Sequence, residues 1–507
     1  MSYKKIIEKY NEIKNIEYAN AIADWDQSTN MPPKGVESRA EICGMLSQIA
    51  HNLVISDDLF KIVEDIINSK EYLNLSDLQK NEIRVFKTLI EKERKIPTSL
   101  EVELSKTTSK AMSVWEIAKE NNDDKDFLPL LKKIYELKKE YAKCLGYEKN
   151  PYDALLDCYD KGLKYQFIKP LFNTLEKNLV KLIDKISHST DNRNNRLLNQ
   201  NFDEKKQWDF GLEIIKDIGI DMKAFRQDKS THPFTTKLGH NDIRITTDIQ
   251  SNNLLKGLYS TIHETGHALY EQSVSQHFNK IYENTFIESP CSSIESLSLH
   301  ESQSRFYENI IGRSFKFWKN YFPKLQKLFP KNLSSISCDD FYKAVNMVET
   351  TPIRIESDEI TYNLHIILRT EIENELINGN LNIEEVESFW NKKTKGLLGF
   401  TPQKKNQGYL QDIHWSCGLI GYFPTYTIGN MISAQFYNEL KPTLDKYDIY
   451  DANTFSIIKK WFNENLYNKG NIYTSMESVK LITNKELESE FFINYLETKF
   501  KEIYGGI

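Results

Sequence analysis

The segment LLKGLYSTIHETGHALYEQSVSQHF, residues 254–278, has apolar residues at helical spacing and is predicted to form one long helix. It contains His263, Glu264 and His267 in an HExxH sequence. On a helix, the spacing of four residues puts both imidazoles on one face, where they can bind one zinc ion. The carboxylate of Glu264 then lies beside the ion and can deprotonate a bound water. The segment therefore predicts a catalytic zinc centre with Glu264 as its general base.

A catalytic zinc ion needs a third protein ligand and an open position for water. The downstream candidates are Glu288, Glu295 and Glu301. Residues 294–312 are predicted to form a helix on which Glu301 is well placed, but each of the three carboxylates could equally be a solvated charge. Spacing along the chain leaves the choice among them open.

The rest of the chain is also predicted to be mainly helical. Only 20 glycines and 14 prolines occur among 507 residues, which favours long helices with short connections. Segments such as 3–25 and 127–145 repeat apolar residues three and four apart. One segment, 240–249, instead alternates β-branched and polar residues, so it predicts a strand that leads into the HExxH helix. We expect a single domain over 1–507, mainly α, with a small β-sheet beside that helix.

Composition excludes several classes of protein. The formal net charge of −6 shows no bias toward nucleic acid or anionic membranes, so neither is expected as a partner. No apolar run approaches the ~18 residues of a spanning helix, and the first twenty residues have no signal-peptide pattern. The six cysteines are scattered without a CxxC pair, which predicts free thiols. A cytoplasmic location is expected.

The sequence HESQSR (300–305), following HETGH, resembles the thermostable carboxypeptidases of the carboxypeptidase Taq family, which are zinc metallocarboxypeptidases. The similarity extends over residues ~20 to 505 and includes further motifs in the family's order, namely WDQSTNMPPKG (25–35), HPF (232–234), DIRIT (242–246), IRIESD (353–358), GYLQDIHW (408–415) and GYFPTYTIGNM (421–431). There are two departures. Ser357 replaces the family's usual alanine, and the segment between HETGH and HESQ is several residues longer than is typical, with FIESPCSSIES (286–296) as the extra part.

The resemblance implies a large helical metallopeptidase fold with a deep central cleft, covered by an N-terminal helical portion of roughly residues 1–110. It implies Glu301 as the third ligand and Gln303 as a residue that supports the ligands. Zn²⁺ is the implied metal, with Co²⁺ as a possible substitute. Members of this family are commonly homodimers, so a homodimer is expected.

The resemblance also implies the residues that handle substrate. Arg354 would grip the terminal carboxylate of a peptide, since a planar guanidinium suits a bidentate pair. The residues alone favour a plainer explanation, in which Arg354 pairs with Asp358 one turn along a helix begun at Thr351. His414 would hydrogen-bond the substrate or the oxyanion of the tetrahedral intermediate. Tyr426 resembles a transition-state tyrosine, with Tyr422 as the alternative.

The strand motif DIRIT would line the cleft through Asp242 and Arg244 and offer backbone hydrogen bonds to an extended peptide. Alternatively, Arg244 is only a structural ion-pair partner. The expected activity is release of single amino acids from the free C-terminus of peptides, with broad specificity. The competing hypotheses are a helical zinc oligoendopeptidase, a dipeptidyl carboxypeptidase and, from a different class, a non-catalytic peptide-binding scaffold.

Overall fold

The computed structural model describes residues 3–189, 197–283, 287–293 and 295–505. Helices dominate, as the sequence predicts. Those before the sheet are α1 (Tyr3–Thr29), α2 (Val36–Ile55), α3 (Asp57–Ile67), α4 (Lys70–Leu73), α5 (Asp77–Glu93), α6 (Thr98–Asn121), α7 (Leu128–Leu145), α8 (Pro151–Leu156), α9 (Tyr165–Ser187) and α10 (Glu204–Ile218).

The second part of the chain begins with three strands, β1 (Phe225–Lys229), β2 (Thr235–Gly239) and β3 (Asp242–Thr247). The helices that follow are α11 (Leu254–Ile281), α12 (Leu297–Arg305), α13 (Phe315–Leu328), α14 (Pro330–Leu333), α15 (Cys338–Val345), α16 (Thr361–Asn378), α17 (Val386–Leu398), α18 (Pro424–Leu444), α19 (Ala452–Asn465), α20 (Ser475–Thr483) and α21 (Ser489–Tyr504). Among the described helices, none is long and apolar enough to cross a membrane.

Helices α1, α2, α3 and α5 share a hydrophobic core of their own, which includes Val63 and Phe86. In α3, the side chain of Ser56 accepts a hydrogen bond from the amide of Leu59 and so caps the first turn. Apolar residues three and four apart then bury one face of this helix. A second, much larger core contains residues from Val85 to Ile503. The N-terminal helices thus form a layer with separate packing.

The sheet has the order β1-β3-β2, with β1 parallel and β2 antiparallel to β3. Ile243 and Ile245 of β3 are buried, and the strand packs against α11. The predicted strand is therefore confirmed, although it is shorter than 240–249. The expectation that it offers backbone hydrogen bonds to a peptide is wrong, because both of its edges are already paired. The edge strand beside α11 is β2.

Helix α11 is the predicted HExxH helix, and Asn253 caps it by accepting a hydrogen bond from the amide of Lys256. It packs against α12, which in turn packs against α18. Glycines make both approaches close. A Cβ atom at Gly266 would lie 2.6 Å from the carbonyl oxygen of Gln303, and one at Gly429 would lie 2.8 Å from Cγ of Glu301. The absence of a side chain lets α12 approach the histidine-bearing helix α11 at Gly266 and helix α18 at Gly429.

The predicted helix over 294–312 has a change of period in its second half. Helix α12 ends at Arg305, and a π-helix continues from Phe306 to Ile311. The amide of Gly312 closes it by donating to the carbonyl of Tyr307 at 2.8 Å. Insertions of this kind are frequent at functional sites, where they re-aim side chains. Here the π-helix carries Glu308.

Candidate metal centre

The structure brings His263, His267 and Glu301 together. Their ligand atoms all lie within 4.8 Å of one another. Oε2 of Glu301 is 3.6 Å from Nε2 of His263 and 3.4 Å from Nε2 of His267. Two ligand atoms at ordinary zinc distances in a tetrahedral site are about 3.3 Å apart. The donor set and its spacing therefore fit one tetrahedral divalent ion.

The two competing carboxylates are placed elsewhere. Glu288 is buried, but its carboxylate pairs with Lys237 and with Nε2 of His240, the latter at 3.0 Å. The hydroxyl of Ser292 donates to the same carboxylate at 2.9 Å. Burial works against the negative charge of Glu288, but Lys237 and His240 outweigh it and hold its pKa below the usual value. Glu295 is exposed. Neither carboxylate joins the two histidines.

Glu308 orients the first histidine ligand. Its Oε2 lies 2.8 Å from Nδ1 of His263 and accepts a further bond from Arg305 at 3.2 Å. Burial opposes its charge, but Arg305 and His263 outweigh that effect and lower the pKa of Glu308 to about 2. An ionised Glu308 requires Nδ1 of His263 to carry the hydrogen, which leaves Nε2 free to bind a metal.

The resemblance suggested Gln303, rather than Glu308, as the supporting residue. Gln303 is fully buried, and its side-chain oxygen accepts a hydrogen bond from Tyr467 at 2.8 Å. Its side chain therefore takes part in core packing. The signal for Glu308 was present in the helical repeat, since Glu301, Arg305 and Glu308 share one face. The sequence alone did not show which of these charges faces His263.

Arg305 joins the carboxylates of Glu301 and Glu308. Its Nε donates to Oε1 of Glu301 at 2.6 Å, and the hydroxyl of Ser304 donates to Oε2 at 2.9 Å. The Glu301 side chain is thus fixed before any ion is bound. The other histidine ligand, His267, is stacked on the ring of His300, with centroids 4.0 Å apart. Both contacts limit the rotation of side chains that must converge on one point.

Glu264 is buried beside these ligands. The hydroxyl of Thr235, at the start of β2, donates to its Oε2 at 2.6 Å. Burial raises the pKa of Glu264, and the neighbouring His263 and Thr235 act in the opposite direction. A carboxylate with a raised pKa is a better proton acceptor near neutral pH. The sheet therefore contributes to the site by fixing the Glu264 carboxylate.

Arg354 lies in a buried charge cluster. Its Nη2 and Nε donate to Oδ1 of Asp412 at 2.7 and 3.0 Å, and its Nη1 donates to the hydroxyl of Tyr362 at 3.0 Å. Arg369 donates to the other oxygen of Asp412 at 2.7 Å. Two guanidinium groups thus share one carboxylate. The cluster has an excess positive charge in a buried place, which favours a second anion.

The plainer explanation for Arg354, a pair with Asp358 on one helix, is wrong. Residues Arg354–Glu356 form only a short 3-10 turn. Asp358 instead accepts hydrogen bonds from the amides of Ile360 and Thr361, at the start of α16, at 2.8 and 3.0 Å. The chain is extended at Ser357, so the side chains of Arg354 and Asp358 diverge.

His414 and the two tyrosines come together next to Arg354. Nε2 of His414 is 3.1 Å from the hydroxyl of Tyr426, and the His414 ring is stacked on Phe423 with centroids 4.4 Å apart. Tyr422 packs edge-on against Tyr426 at 5.3 Å. Burial, together with the charge of Arg354, lowers the pKa of His414 to about 3, so the ring is neutral at pH 7. Burial also keeps Tyr426 protonated by raising its pKa.

Asp242 and Arg244 pair with each other. Nε and Nη2 of Arg244 donate to the two carboxylate oxygens of Asp242 at 2.7 and 2.8 Å. The guanidinium also lies 4.5 Å above the ring of Trp25 on α1. These contacts group the two residues with the N-terminal helices. They match the alternative in which Arg244 is a structural ion-pair partner.

A histidine pair and a glutamate in reach of one ion, with a second, buried glutamate on the HExxH helix, are typical of a helical metallopeptidase. The chain belongs to the carboxypeptidase Taq (M32) metallopeptidase family, whose model matches residues 4–500. It is therefore a peptide hydrolase of the carboxypeptidase class.

Similar proteins cover nearly all of the chain. Thermostable carboxypeptidase 1 of Pyrococcus furiosus is 37% identical over 500 residues, with 98% of each chain covered. Carboxypeptidase 1 of Bacillus subtilis is 34% identical over 502 residues, covering 99% of this chain and 98% of the relative. The crystal structure of the M32 carboxypeptidase of Deinococcus radiodurans superposes with a TM-score of 0.93 at 33% identity and covers 99% of both chains. The predicted family and fold class are confirmed.

Proposed function

We propose that this enzyme is a zinc carboxypeptidase that removes single amino acids from the free C-terminus of peptides. The observation that carries the proposal is the buried cluster in which Arg354 and Arg369 share the single carboxylate of Asp412. Its excess positive charge suits the terminal carboxylate of a substrate. Every peptide ends in this same group, whatever its last side chain. Recognition of the terminus in this way supports broad specificity.

His263, His267 and Glu301 would hold the ion, and two imidazole nitrogens with one carboxylate oxygen are a usual ligand set for catalytic zinc. Cobalt prefers similar ligands and is the proposed substitute. When bound, the ion supplies Lewis acidity, which activates water for attack and polarises the peptide carbonyl.

Glu264 would transfer the protons. Its buried carboxylate accepts a proton from the attacking water and then returns it to the leaving amine. Thr235 holds one carboxylate oxygen in place, so the other can point to the reacting atoms. His414 and Tyr426 would stabilise the oxyanion, because both are uncharged at pH 7 and can donate hydrogen bonds to it.

Substrate would enter along the N-terminal helices. We propose that residues of roughly 1–110 cover the cleft of a single 507-residue domain. Asp242, Arg244 and Tyr422 are the proposed contacts for the remainder of the peptide. The edge strand β2, which pairs with a strand on one side only among the described residues, is the better candidate for backbone pairing with an extended chain. A homodimer and a cytoplasmic location complete the proposal, and sedimentation velocity tests the former.

Replacement of the base tests the chemistry. E264Q should abolish turnover and keep a zinc content near that of the wild type, because the amide cannot accept the proton but leaves all three ligands intact. Retained activity in this variant would contradict the proposed role of Glu264.

The site of cleavage tests the substrate class. Mass spectrometry of digested peptides should show stepwise loss of single residues, blocked when the C-terminus is amidated. Internal cuts would favour an oligoendopeptidase, and loss of residue pairs would favour a dipeptidyl carboxypeptidase. Absence of zinc binding and of turnover would favour the scaffold hypothesis.

A further inference from the structure

Glu373 of α16 is a carboxylate with no exposed surface. It accepts three hydrogen bonds. The indole Nε1 of Trp415 donates to its Oε1 at 2.8 Å, and the amide of Gly421 and the hydroxyl of Tyr152 donate to its Oε2 at 2.9 and 2.5 Å. Tyr152 lies in α8, and Trp415 and Gly421 lie in the loop that precedes α18. One buried acid therefore ties three segments together.

Two of these donors are next to residues of the proposed site. Trp415 directly follows His414, and Gly421 directly precedes Tyr422. The segment between them folds back so that the rings of His414 and Tyr422 meet at 5.6 Å. Glu373 thus holds the residue that follows His414 and the residue that precedes Tyr422.

Helix α16 holds the same loop at a second point. Arg369 lies one turn before Glu373 and donates to Asp412 at 2.7 Å. Residues four apart lie on one helix face, so Arg369 and Glu373 are neighbours on α16. Arg369 hydrogen-bonds Asp412, and Glu373 accepts the hydrogen bond of Trp415. The first contact supports the cluster around Arg354. The second supports His414.

We infer that Glu373 is a positioning residue, which fixes His414 and the Tyr422–Tyr426 pair relative to each other by accepting the Trp415 and Gly421 hydrogen bonds. This role rests on the proposed function of His414. A carboxylate is needed because two oxygens accept three donors. An amide has one acceptor oxygen, and its NH₂ group would face a donor at the other position.

Burial raises the pKa of Glu373 to about 7, and its hydrogen-bond donors oppose this shift. Replacing a buried charged group by an apolar side chain of similar volume often costs little stability, so filling space alone does not require an acid at this position. The convergence of three donors on it instead indicates a requirement for fixed geometry.

The main test is E373Q. A displacement of about 1 Å in a catalytic group can cost about 100-fold in rate, so we expect kcat to fall by about 10- to 100-fold. Because Arg369 holds Asp412 independently, KM for peptides with a free C-terminus should change by less than about threefold. Zinc content, measured by atomic absorption, should equal that of the wild type. A kcat within about twofold of the wild type at equal zinc content would overturn the inference.

A double-mutant cycle separates positioning from general damage. If Glu373 acts through His414, E373Q should add little to the loss already caused by H414A. If kcat in E373Q/H414A falls by the product of the two single-variant losses, the two residues act independently, and the inference is overturned. W415F offers a second variant if E373Q folds poorly, because it removes the indole donor and leaves the Glu373 carboxylate in place. It should also lower kcat and spare KM, and an unchanged kcat would overturn the inference.

The chain provides a matched control in Glu82, another fully buried carboxylate that accepts from three hydroxyls, those of Tyr3, Tyr282 and Ser289. None of these residues belongs to the proposed site, so E82Q should leave kcat within about twofold of the wild type. A loss in E82Q equal to that in E373Q would overturn the inference. Failure of the proposed function looks different, because wild-type enzyme would then release no C-terminal residues and H414A would have no effect.

Discussion

The contact between Glu308 and His263 gives a quantitative prediction for E308Q. The 2.8 Å bond from Nδ1 of His263 to Oε2 of Glu308 is buried and charge-assisted. Such bonds contribute about 1.5–3 kcal/mol, which corresponds to a factor of about 10 to 150 in an equilibrium constant. The loss of supporting carboxylates in metal sites lowers affinity by about 10- to 100-fold. We therefore expect the zinc Kd of E308Q to rise by about 10- to 100-fold.

The surrounding charges act in the same direction. Arg305 and Arg313 both lie near the Glu308 carboxylate, at 3.2 and 3.5 Å. When Gln replaces Glu308, their positive charges are less well balanced, and a divalent cation nearby becomes less favourable. The neutral amide can still hydrogen-bond His263, so the variant should fold. The effect should therefore appear in metal affinity more than in secondary structure.

The assay is a competition titration, in which apo-protein and a coloured chelator compete for zinc. It measures Kd directly and needs no substrate. E82Q is the control, since its buried carboxylate contacts none of the metal ligands. A Kd for E308Q within about twofold of the wild type would refute the reasoning, because the buried bond would then contribute less than about 0.5 kcal/mol to ligand orientation.

Three further predictions concern the third metal ligand, Arg354 and Glu373. E301Q should weaken zinc binding by more than about 100-fold, while E288Q should leave it within about twofold, and the same chelator titration compares them. R354K should lower kcat/KM for peptides with a free C-terminus by about 100-fold, because lysine lacks the fork that binds carboxylates, and equal turnover by the two proteins would exclude this role. Between about pH 4.5 and 7, the contribution of Glu373 to the free energy of unfolding should fall by up to about 3 kcal/mol as the pH rises, since the raised pKa of Glu373 means that the native state binds this proton more tightly than the unfolded chain. Buried histidines such as His414, whose pKa is lowered to about 3, act in the opposite direction over this range, so the contribution of Glu373 is measured as the difference between denaturant titrations of the wild type and of E373Q at each pH. A difference that does not change with pH would contradict this prediction.

Local patterns predicted the helical and strand elements well, because they depend on neighbours along the chain. The HExxH helix and strand β3 follow from apolar periodicity and from β-branched alternation. The helix predicted over Arg354 and Asp358 failed for a local reason as well. The Asp358 side chain accepts hydrogen bonds from the amides of Ile360 and Thr361, and such a local side-chain-to-backbone bond competes with a helix through Asp358.

Charged pairs were less predictable, since each acid has several bases within reach in sequence. The residues alone favour a pair between Arg354 and Asp358, four residues away, yet the partner of Arg354 is Asp412, 58 residues away. The topology of the sheet was likewise open. That β3 is central, and cannot pair with a peptide, depends on β1 and β2 lying on either side of it.

The sequence by itself identified His263, Glu264 and His267 as candidate site residues, because their spacing and the helical repeat bring them together without reference to the rest of the fold. It did not determine the third ligand. Glu288, Glu295 and Glu301 are all carboxylates on the downstream segment, and only packing separates them. Close approach of α12 at the two glycine positions brings Glu301 to the histidines, while Lys237 and His240 neutralise Glu288. Ligation depends on distances of a few ångströms across different elements, and tertiary packing alone fixes these.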